Sequence, residues 1–357
     1  MRIVYDVSPL SHQRTGVGNY VRGALGGMLA AAAAGEDELV AFAPASPRGR
    51  RLIEEALAGL RVERRLPTMP FAHAVRVAWS RLARPAAERF VGPFDVLHFS
   101  DWMYPPQRAG VRATMIHDLV PLRFPQWAQG RTVRMHGAKY RNAARTCDVV
   151  FTNSRFTARD VEELLGVAPE RIRVAPPGVD ERFGPDGPRA DLGRPYVLTV
   201  ATLEPRKNLR NLVAAHRLLG DDLALAIAGA AGWGEQPSLD APGIVRLVYP
   251  SDDELPALYR GAAAFVYPSR FEGFGIPVVE AMACGVPCVV SAHESLDEAS
   301  GDSAVRVDPE RPEDIAAGIR RAIEERDELV RRGFAHARRF TWLETGRIHL
   351  QGYADAR

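Results

Sequence analysis

The chain has 357 residues, enough for two domains that each bury a core of their own. With 46% hydrophobic residues, 25% charged residues and a net charge of +2, its composition is that of a globular protein and does not by itself indicate nucleic-acid binding. No run reaches the ~18 apolar residues of a membrane-spanning helix, and residues 1–7 do not resemble a signal peptide. The cysteines, Cys147, Cys284 and Cys288, form no metal or disulfide pattern, so we expect buried thiols and a reducing cytoplasm.

Along the first half of the chain, short apolar runs alternate with helical patterns, which is typical of a doubly wound α/β domain. We expect strands at residues 2–7, 39–42, 61–66, 96–100, 114–117 and 149–152. A loop is expected at residues 15–20, followed by a helix to about residue 33, and further helices at 47–60, 71–90, 131–145 and 155–165. The pattern over residues 71–90 is that of an amphipathic helix. Its apolar positions are Phe71, Val75, Ala78, Leu82, Ala86 and Phe90.

In this half of the chain, two predicted strands are followed by glycine or polar residues that could belong to a binding site. Gly16 and Gly18 lie between a strand and a helix start, where phosphate can bind, but they lack the third glycine of a dinucleotide fingerprint. His117 follows a strand at the carboxyl edge of the predicted sheet, where open α/β sheets bind ligands. A single histidine at such a position is either a structural residue or part of a site.

Residues 48–89 contain ten Arg and four Glu, a local surplus of positive charge. One interpretation is an ordinary solvated surface. The other is a patch that meets anionic lipid headgroups or a lipid phosphate. The sequence leaves both open.

The second half begins after a change in composition. Residues 174–180 are expected to cross between domains, and residues 184–195 hold three Pro and three Gly, as a linker would. Strands are then expected at residues 196–202, 223–228 and 246–249, helices at 209–219, 252–261 and 312–325, and a last helix from about Trp342.

The segment Glu204-Pro205-Arg206-Lys207-Asn208 stands at the start of the predicted helix 209–219. Two cations at a helix N-terminus oppose its dipole, so their presence there indicates a bound anion. Arginine can bind phosphate bidentately, while lysine acts as a point charge.

The strongest pattern is strand, glycine loop, short helix, strand over residues 263–290. Gly273 and Gly275 allow close approach of the backbone to a ligand, and a helix that starts at Pro277 offers unpaired N–H groups to phosphate. Glu272 and Glu280 flank that start, and a carboxylate can accept from two hydroxyls. Such a pair suits a ligand with a hydroxylated ring on each side of its phosphates, as in a nucleotide sugar.

With Phe274-Gly275-Ile276-Pro277 between the two glutamates and Ala281-Met282-Ala283-Cys284-Gly285 after them, the sequence resembles the retaining glycosyltransferases of family four. The resemblance implies an α/β protein of the GT-B fold, with two Rossmann-like domains facing each other across a cleft. It implies an acceptor-binding domain at 1–183, the linker at 184–195, a nucleotide-sugar domain at 196–340 and a helix, 341–357, that returns to the first domain.

The same resemblance implies a role for each candidate site residue. It places Glu272 on the donor sugar, Glu280 on the ribose diol, and Arg206 with Lys207 on the diphosphate. Many members have another Arg where Ala201 stands, which leaves Arg206 to supply that charge. The implied catalytic residues are His117, Arg206, Lys207 and Glu272. Donor-binding residues are Gly16, Gly18, Tyr249, Pro250, Phe274, Gly275, Ile276 and Glu280, and acceptor residues are Asp101, Trp102 and Asp118.

The resemblance therefore implies a retaining hexosyltransferase that needs no cofactor and no metal. GDP-mannose is the first expected donor and UDP-glucose the next, with a glycan or lipid-linked acceptor in cell-surface polysaccharide or glycolipid assembly. No nucleic-acid partner is expected, and the protein would be cytoplasmic, with a peripheral contact to the inner membrane face through residues 48–89. The alternatives are a catalytically silent adaptor that binds sugar nucleotides and a nucleotide-sugar epimerase of the same fold.

Overall fold

The computed structural model describes residues 1–12, 15–32, 35, 37–100, 103–234, 237–248 and 250–357. The chain divides into two compact units, Met1–Gly178 with Thr341–Arg357, and Val179–Phe340. The first unit thus ends slightly before the expected boundary at residue 183, and residues 184–195, expected as a linker, belong to the second unit. Arg260 holds this segment there, because its guanidinium donates to the carbonyl oxygens of Gly184 and Pro188 at 3.2 and 2.8 Å.

The described residues of the first unit form a parallel sheet of seven strands in the order β3-β2-β1-β4-β5-β6-β7. The fourth and sixth strands in chain order are buried along their whole length, because helices cover both faces of such a sheet. The strands are β1 (Arg2–Asp6), β2 (Glu38–Phe42), β3 (Glu63–Arg65), β4 (Val96–Phe99), β5 (Val111–Ile116), β6 (Val149–Thr152) and β7 (Ile172–Val174).

The helices between these strands follow the expected alternation. Where the sequence offers a cap, the cap forms: the Ser154 hydroxyl accepts from the backbone N–H of Thr157 at 2.9 Å and starts α7. The helices are α1 (Gly16–Ala32), α2 (Pro47–Ala56), α3 (Ala72–Leu82), α4 (Glu88–Val91), α5 (Val120–Arg123), α6 (Gly130–Thr146) and α7 (Arg155–Leu165).

The single helix expected over residues 71–90 is wrong. The chain forms α3 and α4 instead, with Pro85 between them, because proline lacks the N–H that a continuing helix needs and its ring collides with the preceding turn. The apolar positions of the pattern also face different ways. Phe90 packs against Trp79, with ring centroids 5.3 Å apart, whereas Phe71 and Leu82 are 84% and 73% exposed.

The second unit has a six-stranded parallel sheet in its described residues, ordered β10-β9-β8-β11-β12-β13. Cys284 and Cys288 are buried free thiols here, as Cys147 is in the first unit, which confirms the expectation of buried thiols. The strands are β8 (Tyr196–Val200), β9 (Ala224–Ala228), β10 (Ile244–Leu247), β11 (Ala264–Tyr267), β12 (Cys288–Ser291) and β13 (Ala304–Val307); the helices are α8 (Leu209–Arg217), α9 (Glu254–Gly261), α10 (Ile276–Ala283), α11 (Asp297–Ser300), α12 (Pro312–Glu324) and α13 (Arg326–Ala337).

The last helix, α14 (Trp342–Asp355), belongs to the first unit and packs on α1. Glycines permit the close approach of the two helices. A Cβ at Gly27 of α1 would collide with the carbonyl of Trp342, and one at Gly346 of α14 would collide with the backbone of Gly27. Among the described residues, no helix combines the length and the apolar character that crossing a membrane requires.

In both sheets the strand order reverses once, between β1 and β4 in the first unit and between β8 and β11 in the second. Loops that leave adjacent strands on opposite sides of such a point open a crevice at the carboxyl ends of the strands, and ligands of open α/β sheets bind there. The motifs selected from the sequence follow β1, β5, β8 and β11.

Candidate functional site

The second unit brings its two motifs together at the point of strand reversal. Strands β8 and β11 are direct neighbours, with Ala264 paired to Val197. The loop after β8 carries a short 3-10 turn, Pro205–Lys207, and the loop after β11 leads to Glu272. A backbone hydrogen bond from the N–H of Arg270 to the carbonyl of Arg206, at 2.8 Å, joins the two loops.

Glu272 lies between the two cations. Its Oε2 accepts from the Arg206 guanidinium at 2.6 Å, and its Oε1 accepts from the Lys207 ammonium at 2.6 Å. All three side chains are largely buried. The anion that the two cations meet in this structure is therefore a protein carboxylate.

Opposing electrostatic effects act on this cluster. Burial alone would raise the pKa of Glu272, but the positive charges of Arg206 and Lys207 outweigh it and hold that pKa at about 2. Burial, together with the Arg206 charge, lowers the pKa of Lys207, and the Glu272 carboxylate opposes that shift. Glu272 is consequently ionised at any physiological pH.

Side chains to which the sequence interpretation gave no role support this cluster. The Glu204 carboxylate accepts from Arg206 Nε at 2.9 Å, the Tyr267 hydroxyl accepts from Lys207 at 2.7 Å, and the Ser295 hydroxyl accepts from the backbone N–H of Glu272 at 3.1 Å. Glu204 stands two residues before Arg206 and Tyr267 ends β11, so their positions beside the motifs were a usable signal. Ser295 is distant in sequence and gave none.

Gly275 shapes the start of α10. Its backbone has φ 105°, a left-handed conformation that favours glycine, and a Cβ there would lie 2.6 Å from Leu296. Ile276 is the first residue of the helix and is half-buried. The Phe274 side chain packs in the core against Phe340, with ring centroids 5.3 Å apart, so only its backbone can face a ligand.

Glu280 is buried on α10 and receives a hydrogen bond that the sequence did not predict. The Tyr259 hydroxyl of α9 donates to Glu280 Oε2 at 3.0 Å. Burial and the adjacent Glu280 charge raise the pKa of Tyr259 well above its ordinary value, so the phenol keeps its proton and remains a donor. This contact fixes one oxygen of the carboxylate on a rigid helix.

In the first unit, His117 follows β5 directly. It lies edge-on to Tyr20 of α1, with ring centroids 5.0 Å apart, and its Nε2 is buried with no hydrogen-bond partner among the described residues. Burial, followed by the charges of Lys139 and His136, lowers the pKa of His117 to about 3. The residue therefore presents a neutral imidazole.

Other candidates of the first unit lie at the same sheet edge. Gly16 and Gly18 form the first turn of α1, where Gly18 N–H donates to the hydroxyl of Thr15 at 3.2 Å, and a Cβ at Gly16 would meet no atom within 4 Å. Asp118 is engaged in local structure, since its carboxylate accepts from the backbone N–H of Val120 at 3.1 Å at the start of α5.

Three of the predicted site residues, Asp101, Trp102 and Tyr249, lie outside the described residues. Pro250 lies in the loop between β10 and α9 and is half-buried. Within the part of the chain that the structure describes, no group of three or more His, Cys, Asp or Glu side chains is arranged to hold a metal ion.

Comparison with known proteins identifies the family. The profile of Glycosyltransferase Family 4 matches residues 16–183, and that of Glycosyl transferases group 1 matches residues 185–339. The O-antigen chain mannosyltransferase B of Escherichia coli is 30% identical over 271 residues, which cover 70% of this chain and 71% of that protein. The chain is a family-4 glycosyltransferase.

Other relatives and solved structures agree with this assignment. A D-inositol 3-phosphate glycosyltransferase of Salinispora tropica is 32% identical over 76% of this glycosyltransferase and 66% of that protein, and the serotype-specific mannosyltransferase WbdA of Escherichia coli is 28% identical over only 28% of its own length. The sucrose-phosphate synthase of Thermosynechococcus elongatus superposes with a TM-score of 0.69 at 18% identity, covering 99% of this chain and 98% of that chain. Anabaena HepE in complex with UDP-glucose superposes with a TM-score of 0.69 at 15% identity, covering 99% and 100%. At such identities the likeness concerns the fold, and the expected GT-B fold of two Rossmann-like units is confirmed.

Proposed function

We propose that this glycosyltransferase moves a hexose from a nucleotide sugar to a glycan or lipid-linked acceptor, with retention of the anomeric configuration and without a metal ion. The observation that carries the proposal is the cluster in which Arg206 and Lys207 both donate to Glu272, beside the start of α10. It combines cations for a diphosphate with a carboxylate for sugar hydroxyls.

In this proposal the diphosphate competes with Glu272 for the two cations. Phosphate oxygens bind Arg206 and Lys207, and Glu272 accepts hydrogen bonds from the sugar. Negative charge grows on the leaving diphosphate as the glycosidic bond breaks, and the two cations stabilise it from fixed positions. They supply the positive charge that a divalent ion supplies in other phosphate sites, and the donor phosphate itself takes the acceptor proton.

Glu280 and His117 complete the proposed donor contacts. Glu280 accepts from the ribose diol, with one of its oxygens already held by Tyr259 at 3.0 Å. His117 offers its neutral ring to a hydroxyl of the transferred sugar. A neutral imidazole can donate or accept a hydrogen bond without adding a charge to the site.

The relatives suggest the donor and the pathway. The printed names of mannosyltransferase B and WbdA describe mannosyl transfer, and the former places it in O-antigen chain synthesis. GDP-mannose is therefore the first donor to test, and UDP-glucose the second. The acceptor belongs to cell-surface polysaccharide or glycolipid assembly, and the protein would work in the cytoplasm, with the basic segment 48–89 as its contact with the inner membrane face.

The decisive experiment combines binding with product analysis. Thermal unfolding is measured with GDP, UDP, ADP and dTDP, because a nucleotide that binds the folded state raises the apparent stability by about 2.7 kcal/mol at a hundredfold excess over its dissociation constant. The stabilising base then selects the nucleotide sugars for turnover assays. We expect slow release of free sugar without acceptor and release of nucleoside diphosphate with it.

The alternatives give different products. Interconversion of the free nucleotide sugar without acceptor would identify an epimerase, and tight binding with no turnover of any matched donor would identify a silent adaptor. For metal independence, activity should persist in EDTA. Complete loss on chelation, restored by Mg²⁺ or Mn²⁺, would contradict the role given to Arg206 and Lys207.

A further inference from the structure

Three buried side chains of the first unit, Tyr5 of β1, His98 of β4 and His349 of α14, form a buried ring group. Tyr5 and His98 are paired neighbours in the sheet, with ring centroids 4.8 Å apart, and the ring of His349 lies 5.6 Å from that of His98. Tyr20 of α1 packs beside them, with its ring centroid 6.1 Å from that of His349 and 5.0 Å from that of His117. The buried ring group therefore lies one side chain away from a residue of the proposed site.

Each ring of the group has a buried polar atom without a hydrogen-bond partner among the described residues, and so has His117. The atoms are Tyr5 Oη, His98 Nε2, His349 Nε2 and His117 Nε2. Leaving a polar atom unpaired in the interior costs free energy, so such atoms in native proteins are nearly always paired with protein groups or with ordered water. A buried water makes about three hydrogen bonds to atoms of this kind, so several of them close together indicate an internal water site.

The hydrogen bonds that the two histidines of the group do make show which of their atoms donate. His349 Nδ1 lies 2.8 Å from the carbonyl oxygen of Thr345, which can only accept, so the proton is on Nδ1 and Nε2 is an acceptor. The Tyr353 hydroxyl lies 2.8 Å from His98 Nδ1 and donates to it, because as an acceptor it would leave its own proton unpaired within the described part of the chain. His98 Nε2 therefore carries a proton and is a donor.

The chemistry of the group favours water over an ion. Burial lowers the pKa of His98 well below its ordinary value and that of His349 to about 4, so both rings are neutral. Burial also raises the pKa of Tyr5, which keeps its proton. The group thus presents a donor at His98, an acceptor at His349 and a hydroxyl at Tyr5 that can act as either. Water both donates and accepts and so matches this mixed set, whereas a cation or an anion would match only part of it.

We propose that the buried ring group encloses ordered water that hydrogen-bonds to His117 Nε2 and holds His117 in a single tautomer. In a neutral imidazole one nitrogen donates and the other accepts, so the bond made at Nε2 decides the role left to Nδ1. The members of the group are then positioning residues that act on His117 through water. The benefit to sugar binding rests on the proposed function, whereas the water and the tautomer are measured without donor or acceptor.

The first test is a crystal structure of the full chain, together with nitrogen-15 spectra of the histidine side chains. We expect ordered water within about 3.2 Å of Tyr5 Oη, His98 Nε2 and His349 Nε2. The spectra, with the His117 signals identified by their loss in His117→Gln, should show one tautomer of His117. A well-ordered ring group with no water density between its polar atoms would overturn the proposal, and so would a mixture of His117 tautomers in the wild type.

Tyr5→Phe tests the link between the group and His117, because it removes one hydroxyl and keeps the ring. We expect both tautomers of His117 to become populated and the melting temperature to fall by about 2–4 °C. Tyr20→Phe is the matched control, since the Tyr20 hydroxyl is also buried beside His117 but donates to the carbonyl of Ala175 at 2.8 Å. It should lower the melting temperature and leave the tautomer of His117 unchanged.

A ring group without water would give the opposite result. Removal of a hydroxyl that has no partner would leave the melting temperature unchanged or raise it, and the spectrum of His117 would stay the same. That outcome would overturn the proposal. With a matched nucleotide sugar, Tyr5→Phe should also lower kcat/KM about three- to tenfold, the value of one hydrogen bond. A change of tautomer without a change in kcat/KM would support the water site and contradict the contact of His117 with the sugar.

Discussion

The site residues that the sequence selected in the two units are buried in opposite ways. In the second unit, Arg206, Lys207 and Glu272 are buried as charges, and each has a partner of opposite sign at 2.6 Å. In the first unit, burial removes charge from His117 instead: its pKa falls to about 3, and its Nε2 has no partner among the described residues. The selected residues of the second unit thus form compensated ion pairs, whereas the selected histidine of the first unit is a neutral hydrogen-bonding group.

The difference matters for what each edge can bind. The attraction within a buried ion pair offsets part of the free energy lost when its charges leave water. An anion that displaces Glu272 must therefore make interactions with the two cations that are at least as favourable. A diphosphate carries enough charge to do so, whereas a neutral sugar does not. At His117 no internal ion has to be displaced, and a hydroxyl group satisfies the ring. In the proposed function, Arg206 and Lys207 therefore meet the phosphates, and His117 meets a hydroxyl of the sugar.

The largest expected effect comes from neutralising Glu272, which lies between the two cations of the second unit. Glu272→Gln keeps the shape of the side chain and removes the charge that occupies both cations. Binding of the free nucleoside diphosphate should be unchanged or tighter, while kcat with the intact donor should fall about a hundredfold or more, since a preorganised contact to the reacting sugar is lost. Calorimetry and steady-state kinetics measure the two quantities.

A matched control separates this effect from a general loss of charge. Glu310 pairs with Arg270 at 2.5 Å in the same unit but is 56% exposed and lies outside the cluster. Glu310→Gln should leave both quantities near the wild-type values. If Glu272→Gln instead abolished binding of the nucleoside diphosphate in a folded protein, the roles given to Glu272 and Glu280 would be reversed.

The next effect concerns the other glutamate. Glu280→Ala should weaken nucleoside diphosphate binding about ten- to a hundredfold, because a hydrogen bond to a charged group is worth ~1.5–3 kcal/mol. Binding of the 2′-deoxy nucleotide tests directly whether Glu280 contacts the ribose diol. Wild type should bind it more weakly than the ribonucleotide, whereas the variant should bind the two nearly equally. Equal preference in wild type and variant would show that Glu280 does not hold the ribose.

How far the sequence predicts this site depends on the distance between the groups along the chain. Glycine spacing, strand ends and helix starts are local, and they were sufficient to select Arg206, Lys207, Glu272 and Glu280. The pairing of Glu272 with Lys207 joins residues 65 positions apart, and no local pattern encodes it. The sequence therefore indicated an anion beside the two cations, but it could not indicate that a carboxylate of the same chain lies there in this structure.

Helix α3 illustrates a second limit. Apolar periodicity predicted an amphipathic helix, and a helix is present at Ala72–Leu82. Periodicity does not say which face the rest of the fold will cover, and here Trp79 points inward while Phe71 points outward. Pro85 was a local signal for the end of the helix, and the expected continuation to residue 90 overlooked it.

Lowering the pH should destabilise the first unit before the second, because His349 and Glu272 lose their contributions to stability in different pH ranges. An unfolded histidine takes up its proton near pH 6.5, whereas folded His349 does so near pH 4, so the stability it contributes is present above pH 6.5 and is lost as the pH falls. The loss between pH 7 and pH 5 is about 2 kcal/mol. Glu272, with a pKa of about 2, loses its contribution only as the pH falls below about 4.5.

Urea unfolding of wild type and His349→Gln at pH 7 and pH 5 checks this window. The Gln variant should be less stable than the wild type at pH 7. Between pH 7 and pH 5 its free energy of unfolding should fall by about 2 kcal/mol less than that of the wild type. Burial raises the pKa of Asp6 to about 6, so protonation of Asp6 stabilises the folded state over the same pH interval. This gain partly masks the loss from His349 in the wild type, but it is the same in both proteins and cancels when their pH dependences are compared. Identical pH dependence in the two proteins would contradict the neutral burial of His349. Hydrogen exchange at pH 5 should then show the first unit opening before the second.

The smallest expected effect concerns Tyr259, whose only assigned contact with the site is the hydrogen bond to Glu280 at 3.0 Å. Tyr259→Phe keeps the ring that packs against Phe183 and Phe265, with centroids 5.8 and 5.4 Å away. Nucleoside diphosphate binding should weaken about three- to tenfold, the value of one such hydrogen bond, and kcat at saturating donor should not change.

The matched control for this variant is Tyr196→Phe, because the hydroxyl of Tyr196 is also buried in the second unit but donates to the carbonyl of Leu258 at 2.7 Å. It should alter stability without altering nucleotide affinity. A mutant cycle completes the argument. If Tyr259 acts by orienting Glu280, then Tyr259→Phe should cost nothing further in the Glu280→Ala background. Additive losses would mean that Tyr259 affects the nucleotide by another route, and that the carboxylate is held by the rigidity of α10 alone.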